Sequence, residues 1–131
     1  MSVSILVVDD EPDIGELFRQ RFRRELRSGA YVLYFAASGR DALDLVTTGV
    51  EPELLVLLSD INMPEMDGLQ LLREVKRHRP DLPVIMITAY SDDERRRVAD
   101  AFGAADFLNK PIDFEHLKQC IQAITPEGPR L

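Results

Sequence analysis

Asp9, Asp10, Asp60, Thr88 and Lys110 are residue types that can handle a phosphoryl group, and each stands where an apolar run stops. Ile5–Val8 leads into Asp9 and Asp10, Leu54–Leu58 into Ser59 and Asp60, Val84–Ile87 into Thr88, and Phe107–Leu108 into Asn109 and Lys110. Three carboxylates held together repel, which raises their apparent pKa values unless a cation joins them. An oxygen-only ligand set favours Mg²⁺ or Ca²⁺ over zinc or copper, and Mg²⁺ commonly takes one or two carboxylates, waters and a phosphate oxygen. A carboxylate is a weak nucleophile, yet metal coordination and in-line placement let it form an aspartyl phosphate. The Lys110 ammonium and the Thr88 hydroxyl are suitable donors to phosphoryl oxygens.

Singly, these residues have ordinary explanations. Asp9-Asp10 before Pro12 would cap a helix, Asp60 would open a turn, Thr88 would end a strand, and Lys110 would be a surface charge. Their joint order along the chain carries the chemical reading. A calcium loop beginning at Asp60 is excluded, because Pro64 and Glu65 stand where an EF-hand needs a ligand and then a glycine. The chain also lacks a P-loop, a dinucleotide fingerprint and a nucleophile elbow.

The chemistry requires elements that bring four run ends to one place. The runs are short, rich in β-branched residues and bounded by polar residues, the pattern of strands buried on both faces. With Tyr31–Phe35 they make five strands, and helical patterns lie between them. Ile14, Leu17, Phe18, Phe22 and Leu26 mark a first helix ending at Ser28-Gly29. Ser38 and Asp41 open a second, which stops near Gly49; Leu69, Leu72 and Val75 mark a third that ends before Pro80. Ser91 and Glu94 form a capping box for a fourth that Gly103 closes, and a fifth begins near Asp113. Five β-α units with right-handed crossovers give an α/β fold with helices on both faces of an open parallel sheet. A TIM barrel needs about eight units. The expected strand order is the flavodoxin-like 2-1-3-4-5, which sets Asp9, Asp10 and Asp60 side by side at the switch point.

The bulk properties fit one domain in 131 residues, with 1–124 folded and 125–131, bearing two prolines and a glycine, a tail or linker. A net charge of −7 argues against direct binding of nucleic acid or anionic membrane. With only Cys120 there is no internal disulfide, so the expected compartment is the reducing cytoplasm. No stretch approaches the roughly 20 apolar residues of a membrane span.

Taken together, Val7-Val8-Asp9-Asp10-Glu11-Pro12, Ser59-Asp60-Ile61-Asn62-Met63-Pro64 with Met66-Asp67-Gly68, Ile87-Thr88-Ala89 and Gly103–Pro111 resemble the receiver domain of bacterial two-component response regulators. The resemblance covers nearly the whole chain. It implies that Asp60 is the phosphoacceptor. Asp10 and Asp60 would then ligate Mg²⁺ directly, joined by the Asn62 backbone carbonyl, with Asp9 acting through water. Thr88 and Lys110 would hold phosphoryl oxygens, and the Lys110–Pro111 peptide bond would be cis. It further implies a phosphohistidine donor on a sensor kinase or phosphotransfer protein. Thr88 and Phe107 would then switch the face made by the fourth helix, fifth strand and fifth helix, which would serve a downstream effector, an output domain or a homodimer. The implied product is a signalling state, not a metabolite, so the chain is not expected to be an enzyme.

Several positions depart from the family pattern. Phe107 lacks the hydroxyl of the tyrosine often found there, so switching must rest on packing. Asn62 and Tyr90 occupy positions that tune loss of the phosphoryl group, and a bulky Tyr90 implies slow self-dephosphorylation. The lead-in Glu51-Pro52-Glu53-Leu54 is about two residues longer than usual, which predicts an altered turn or bulge before the third strand. A haloacid-dehalogenase-type phosphohydrolase would need an acid two residues after Asp60, where Asn62 stands, and a cap insertion that is absent. A degenerate receiver acting only as a binding module is disfavoured by retention of all five polar residues. His78 and His116 read as isolated, Cys120 as core, and the arginines at 19, 21, 23, 24 and 27 as an outer helix face. Arg95-Arg96-Arg97 reads as a solvated face, with contact to an acidic partner or across a dimer as the alternative.

Overall fold

A computed structural model describes residues 3–89 and 93–124. The elements in chain order are β1 (Val3–Val8), α1 (Ile14–Arg21), α2 (Arg23–Ser28), β2 (Tyr31–Ala36), α3 (Gly39–Thr48) and β3 (Leu54–Asp60). They continue with α4 (Gly68–His78), β4 (Val84–Thr88), α5 (Asp93–Ala101), β5 (Asp106–Asn109) and α6 (Phe114–Ile124). The five strands pair in parallel in the order β2-β1-β3-β4-β5, as the alternation of strand and helix patterns predicts. Strand β3 ends on Asp60 and β4 on Thr88, so the polar residues belong to the strand ends themselves.

Side chains alternate across each strand, and the apolar runs therefore feed two cores. Leu6, Val8, Leu57, Val84 and Met86 point to one face, where Ala42 and Val46 of α3, Leu71, Leu72 and Val75 of α4, and Ala99 of α5 cover them. Ile5, Val7, Val56, Leu58, Ile85 and Ile87 point to the other, under Phe18, Phe22 and the α6 residues Leu117, Cys120 and Ile121. Burial on both faces explains why the strands read as unbroken apolar runs.

The first helix pattern is corrected in one respect: it folds as two segments joined at Phe22, whose φ and ψ are −105° and 21°. Phe22 is fully buried, with its ring parallel to Phe18 at 5.8 Å and edge-on to Phe114 at 6.2 Å. The hydrogen bonds from Phe22 N–H to Phe18 and from Leu26 N–H to Phe22 persist at 2.9 Å, so the helix bends without breaking. Gly29 then ends α2 in the left-handed conformation with φ of 78°, which a residue without Cβ adopts freely. The outer arginines are not simply solvated: Arg19 lies 4.9 Å over Phe35 and Arg21 5.5 Å over Phe114.

The long lead-in to the third strand does produce an irregularity. Ser4 pairs with Leu54 but Ile5 with Val56, which leaves Leu55 as the extra residue. The Tyr34 hydroxyl donates to the Glu51 carbonyl at 2.6 Å and the Ser4 hydroxyl to the Pro52 carbonyl, tying the added segment to β1 and β2. Asp60 keeps its place at the strand end. Both Glu51–Pro52 and Lys110–Pro111 are cis, the second as the family resemblance implies.

Cys120 is buried in the second core, and its Sγ lies 3.2 Å from Asp106 Oδ2 and 3.8 Å from His116 Nε2. Burial, with the Asp106 hydrogen bond and charge, pushes the thiol up to about 11. Because only thiolate alkylates, the rate with iodoacetamide at pH 8 is expected to be roughly a hundredfold below that of an unperturbed cysteine. Asp106→Asn should raise that rate. Wild-type modification as fast as free thiol would contradict this placement.

Candidate functional site

At the carboxyl edge of the sheet, Asp9, Asp10 and Asp60 each offer a carboxylate oxygen, and these oxygens lie within 4.8 Å of one another. They come from adjacent strands, β1 and β3, where strand order reverses. Lys110, just after β5, reaches across β4 to the same spot: its Nζ is 3.1 Å from Asp9 Oδ2, 3.4 Å from Asp60 Oδ2 and 3.4 Å from Glu11 Oε1. Asp9 has both oxygens engaged, since Oδ1 accepts from the Glu11 N–H at 2.9 Å. Asp9 and Asp60 are each 7 % exposed, whereas Asp10 faces solvent.

Negative charge at this point exceeds what Lys110 neutralises. Burial, and next the Asp9 charge, raise the pKa of Asp60, against the opposing effects of Lys110 and the Asn62 N–H bond. Lys110 is itself raised: burial pulls it down, but the hydrogen bond to Asp9 and the charges of Asp9, Asp60 and Glu11 outweigh that. An all-oxygen cluster with surplus negative charge fits a hard divalent cation.

The loop after β3 is pinned close to the acid. Gly68 N–H donates to the Ile61 carbonyl at 2.8 Å. Asp67 caps α4 by accepting from Gln70 N–H at 2.9 Å, while Gln70 Oε1 accepts from Asp67 N–H at 3.0 Å. This capping box has a local signal in the sequence, Asp67-x-x-Gln70, beyond those that mark the third helix above. At Gly68 an added Cβ would stand 2.2 Å from the Asp60 carbonyl oxygen and 2.8 Å from Ile61 Cα. Asn62 N–H donates to Asp60 Oδ1 at 3.3 Å.

Thr88 is fully buried at the end of β4, pairs in register with Asn109, and accepts the Lys110 N–H on its carbonyl at 2.7 Å. Asp60 pairs with Ile87, so Thr88 lies one residue beyond the acid on the neighbouring strand. Phe107 is buried on β5 beside Met86. Arg96 of α5 covers it, with its guanidinium 5.0 Å from the ring centroid and Nη2 donating to the Phe107 carbonyl at 3.1 Å.

The arginine run thus divides. Arg95 Nη1 donates to Asn62 Oδ1 at 3.0 Å, Arg96 engages Phe107, and Arg97 pairs with Glu94 at 3.8 Å on the exposed side. Reading the run as one solvated face misses two contacts that depend on how α5 sits over the sheet edge. Glu11, which is not among the expected site residues, also joins Lys110. Tyr90, Ser91 with its expected capping role and the tail 125–131 lie outside the described residues. Among the described residues no helix is long and apolar enough to cross a membrane.

Comparison with known proteins agrees with this geometry. The family model described as "Response regulator receiver domain" matches residues 5–122. Over 124 residues the chain is 36% identical to "Response regulator MprA" of Mycolicibacterium vanbaalenii, covering 95% of this chain and 51% of that protein. It is 37% identical over 121 residues to "Transcriptional regulatory protein ZraR" of Escherichia coli, covering 92% of this chain and 26% of that one. The chain therefore spans about half the length of the first relative and about a quarter of the second. Among solved structures, the response regulator TrrA of Thermotoga maritima, in complex with Mg²⁺-BeF, superposes with a TM-score of 0.77 at 31% identity, covering 93% and 98% of the two chains. A five-stranded sheet in the order 2-1-3-4-5, an acidic cluster at its switch point and these matches together establish that the chain belongs to the receiver domains of response regulators, which are phosphorylated on aspartate in two-component signalling.

Proposed function

We propose that Asp60 is the phosphoacceptor and that residues 1–124 form a phosphorylation-dependent switch. The supporting observation is the buried Asp60 carboxylate, flanked by two further acids within 4.8 Å and bridged to Asp9 by Lys110. In this reading, Asp10, Asp60 and the Asn62 carbonyl hold Mg²⁺ directly and Asp9 acts through water. The engagement of both Asp9 oxygens and the exposure of Asp10 support that division. Bound there, Mg²⁺ supplies charge neutralisation at the phosphoryl oxygens.

A phosphohistidine on a sensor kinase or phosphotransfer protein is the donor. An Asp60 oxygen forms the new bond to phosphorus, the phosphorus–nitrogen bond breaks, and the electron pair leaves with the imidazole, which takes up a proton. Lys110 and Thr88 donate to the transferred oxygens. Thr88, Phe107 and α5 then carry the change to the face of α5, β5 and α6, which we assign to an output domain, an effector or a second copy of the chain. Asn62 and Tyr90 set how long the state lasts. The domain works by changing state in the cytoplasm, without turning over a substrate.

The test is intact mass after exposure to a small-molecule phosphodonor. One phosphoryl adduct is expected with Mg²⁺ and none in chelator. Asp10→Asn, which removes a direct ligand, should weaken Mg²⁺ binding by on the order of tenfold to a hundredfold in a calorimetric titration and slow uptake in parallel. Mg²⁺-independent uptake, or unchanged binding in this variant, would remove the metal assignment.

A further inference from the structure

Asn62 is joined to two parts of the molecule at once. Its backbone N–H donates to the phosphoacceptor carboxylate at 3.3 Å, and its side-chain oxygen accepts from Arg95, 33 positions away on α5, at 3.0 Å. The next residue on α5, Arg96, is fixed to Phe107 through both carbonyl and ring. Helix α5 therefore contacts the loop beside the acid and the switch residue together.

An amide side chain has a single accepting oxygen. Hydrolysis of an aspartyl phosphate forms a bond from water oxygen to phosphorus and breaks the bond from phosphorus to the aspartate oxygen. The carboxylate is restored, inorganic phosphate leaves, and a water proton is released. An acceptor that orients the water and receives its proton density accelerates this step. The Arg95 guanidinium already donates to the Asn62 oxygen and sets a positive charge beside it.

Resting on the assignment of Asp60 as phosphoacceptor, we propose that Arg95 is a positioning residue that withholds the Asn62 amide oxygen from attacking water and so prolongs the phosphorylated state. It follows that a partner seated on α5 that draws Arg95 away shortens that state. Phosphoryl lifetime is then coupled to occupancy of the output face through one hydrogen bond.

The experiment loads wild type, Arg95→Ala, Arg95→Lys, Asn62→Ala and the Arg95→Ala/Asn62→Ala double variant with a small-molecule phosphodonor and Mg²⁺. The donor is then removed and the adduct is followed by intact mass. Arg95→Ala is expected to lose its phosphoryl group roughly threefold to tenfold faster than wild type, the range set by one hydrogen bond. Its uptake rate should stay close to wild type, a split that general loosening of the fold would not produce. In the Asn62→Ala background, Arg95→Ala should add nothing, and Arg95→Lys, which keeps a donor, should decay more slowly than Arg95→Ala. Unchanged or slower decay in Arg95→Ala, an equal acceleration without the Asn62 amide, or Lys decaying as fast as Ala would overturn the proposal. Absence of uptake in wild type is a different result: it removes the phosphoacceptor assignment and this inference with it.

Discussion

Asp60→Asn is expected to abolish phosphoryl uptake while raising the stability of the metal-free protein. The amide retains the shape of the side chain and its place at the end of β3, but it has no anionic oxygen to attack phosphorus. The stability effect follows from the direction of the Asp60 pKa, raised by burial and by Asp9. Between the ordinary carboxylate value and the raised one, the folded state binds more protons than the unfolded state, so stability falls as pH rises through that window. Above that window the whole cost of ionising Asp60 is present, and the amide removes it. The Asp60–Lys110 contact at 3.4 Å is lost as well, but the raised pKa shows that burial and Asp9 outweigh it. A higher Tm in chelator, together with no adduct in intact mass, is the expected pair of results. Retained uptake would transfer the acceptor role to another residue. In wild type, uptake should decline as pH falls through the raised Asp60 value, because only the carboxylate attacks.

Gly68→Ala should be among the most damaging single-methyl changes in the chain. The added Cβ would meet the Asp60 carbonyl oxygen at 2.2 Å and Ile61 Cα at 2.8 Å, both backbone atoms that no rotamer change can move away. Relief requires α4 to shift from the sheet edge, which disturbs the Asp67 cap and the Gly68–Ile61 hydrogen bond. A cost of about 3 kcal/mol is expected, seen as a Tm lower by roughly 10 °C for a domain of this size. Gly49→Ala provides the control: its Cβ meets nothing within 4 Å, and only the backbone opposes it, with φ of 85° and ψ of 159° in a region essentially reserved for glycine. That variant should lose about 2 kcal/mol from backbone strain alone. Gly68 has no positive φ, so a loss below about 1 kcal/mol there would mean that α4 gives way freely and that the contact with β3 does not set the cost. Because Gly68 abuts Asp60, its alanine variant should also take up phosphoryl groups more slowly than its remaining folded fraction accounts for.

The sheet and the acidic cluster were legible because their signals are local and repeated. Each buried strand has to be apolar on both faces, and each ends where the chain meets solvent, so an aspartate, threonine or lysine at that boundary marks its own position. The bulge at Leu55 was legible only through the family resemblance, whose usual lead-in is about two residues shorter. The division of the first helix at Phe22 was not, since its hydrophobic spacing is continuous and the bend reflects how Phe18 and Phe22 meet Phe114 from another element. The Asp67–Gln70 box could have been read from spacing alone.

The five β-α units and the polar residues Asp9, Asp10, Asp60, Thr88 and Lys110 at their strand ends follow from hydrophobic periodicity, a property of neighbouring residues, and the topology rules for open parallel sheets then bring those ends together. Only the tertiary structure decided the fates of three adjacent arginines. Successive residues on a helix point about 100° apart, so Arg95, Arg96 and Arg97 were bound to face different ways. Which of them met the Asn62 amide, which met the Phe107 ring and which met solvent depended on the rotation and docking of α5 against the sheet edge, which packing sets across distant parts of the chain.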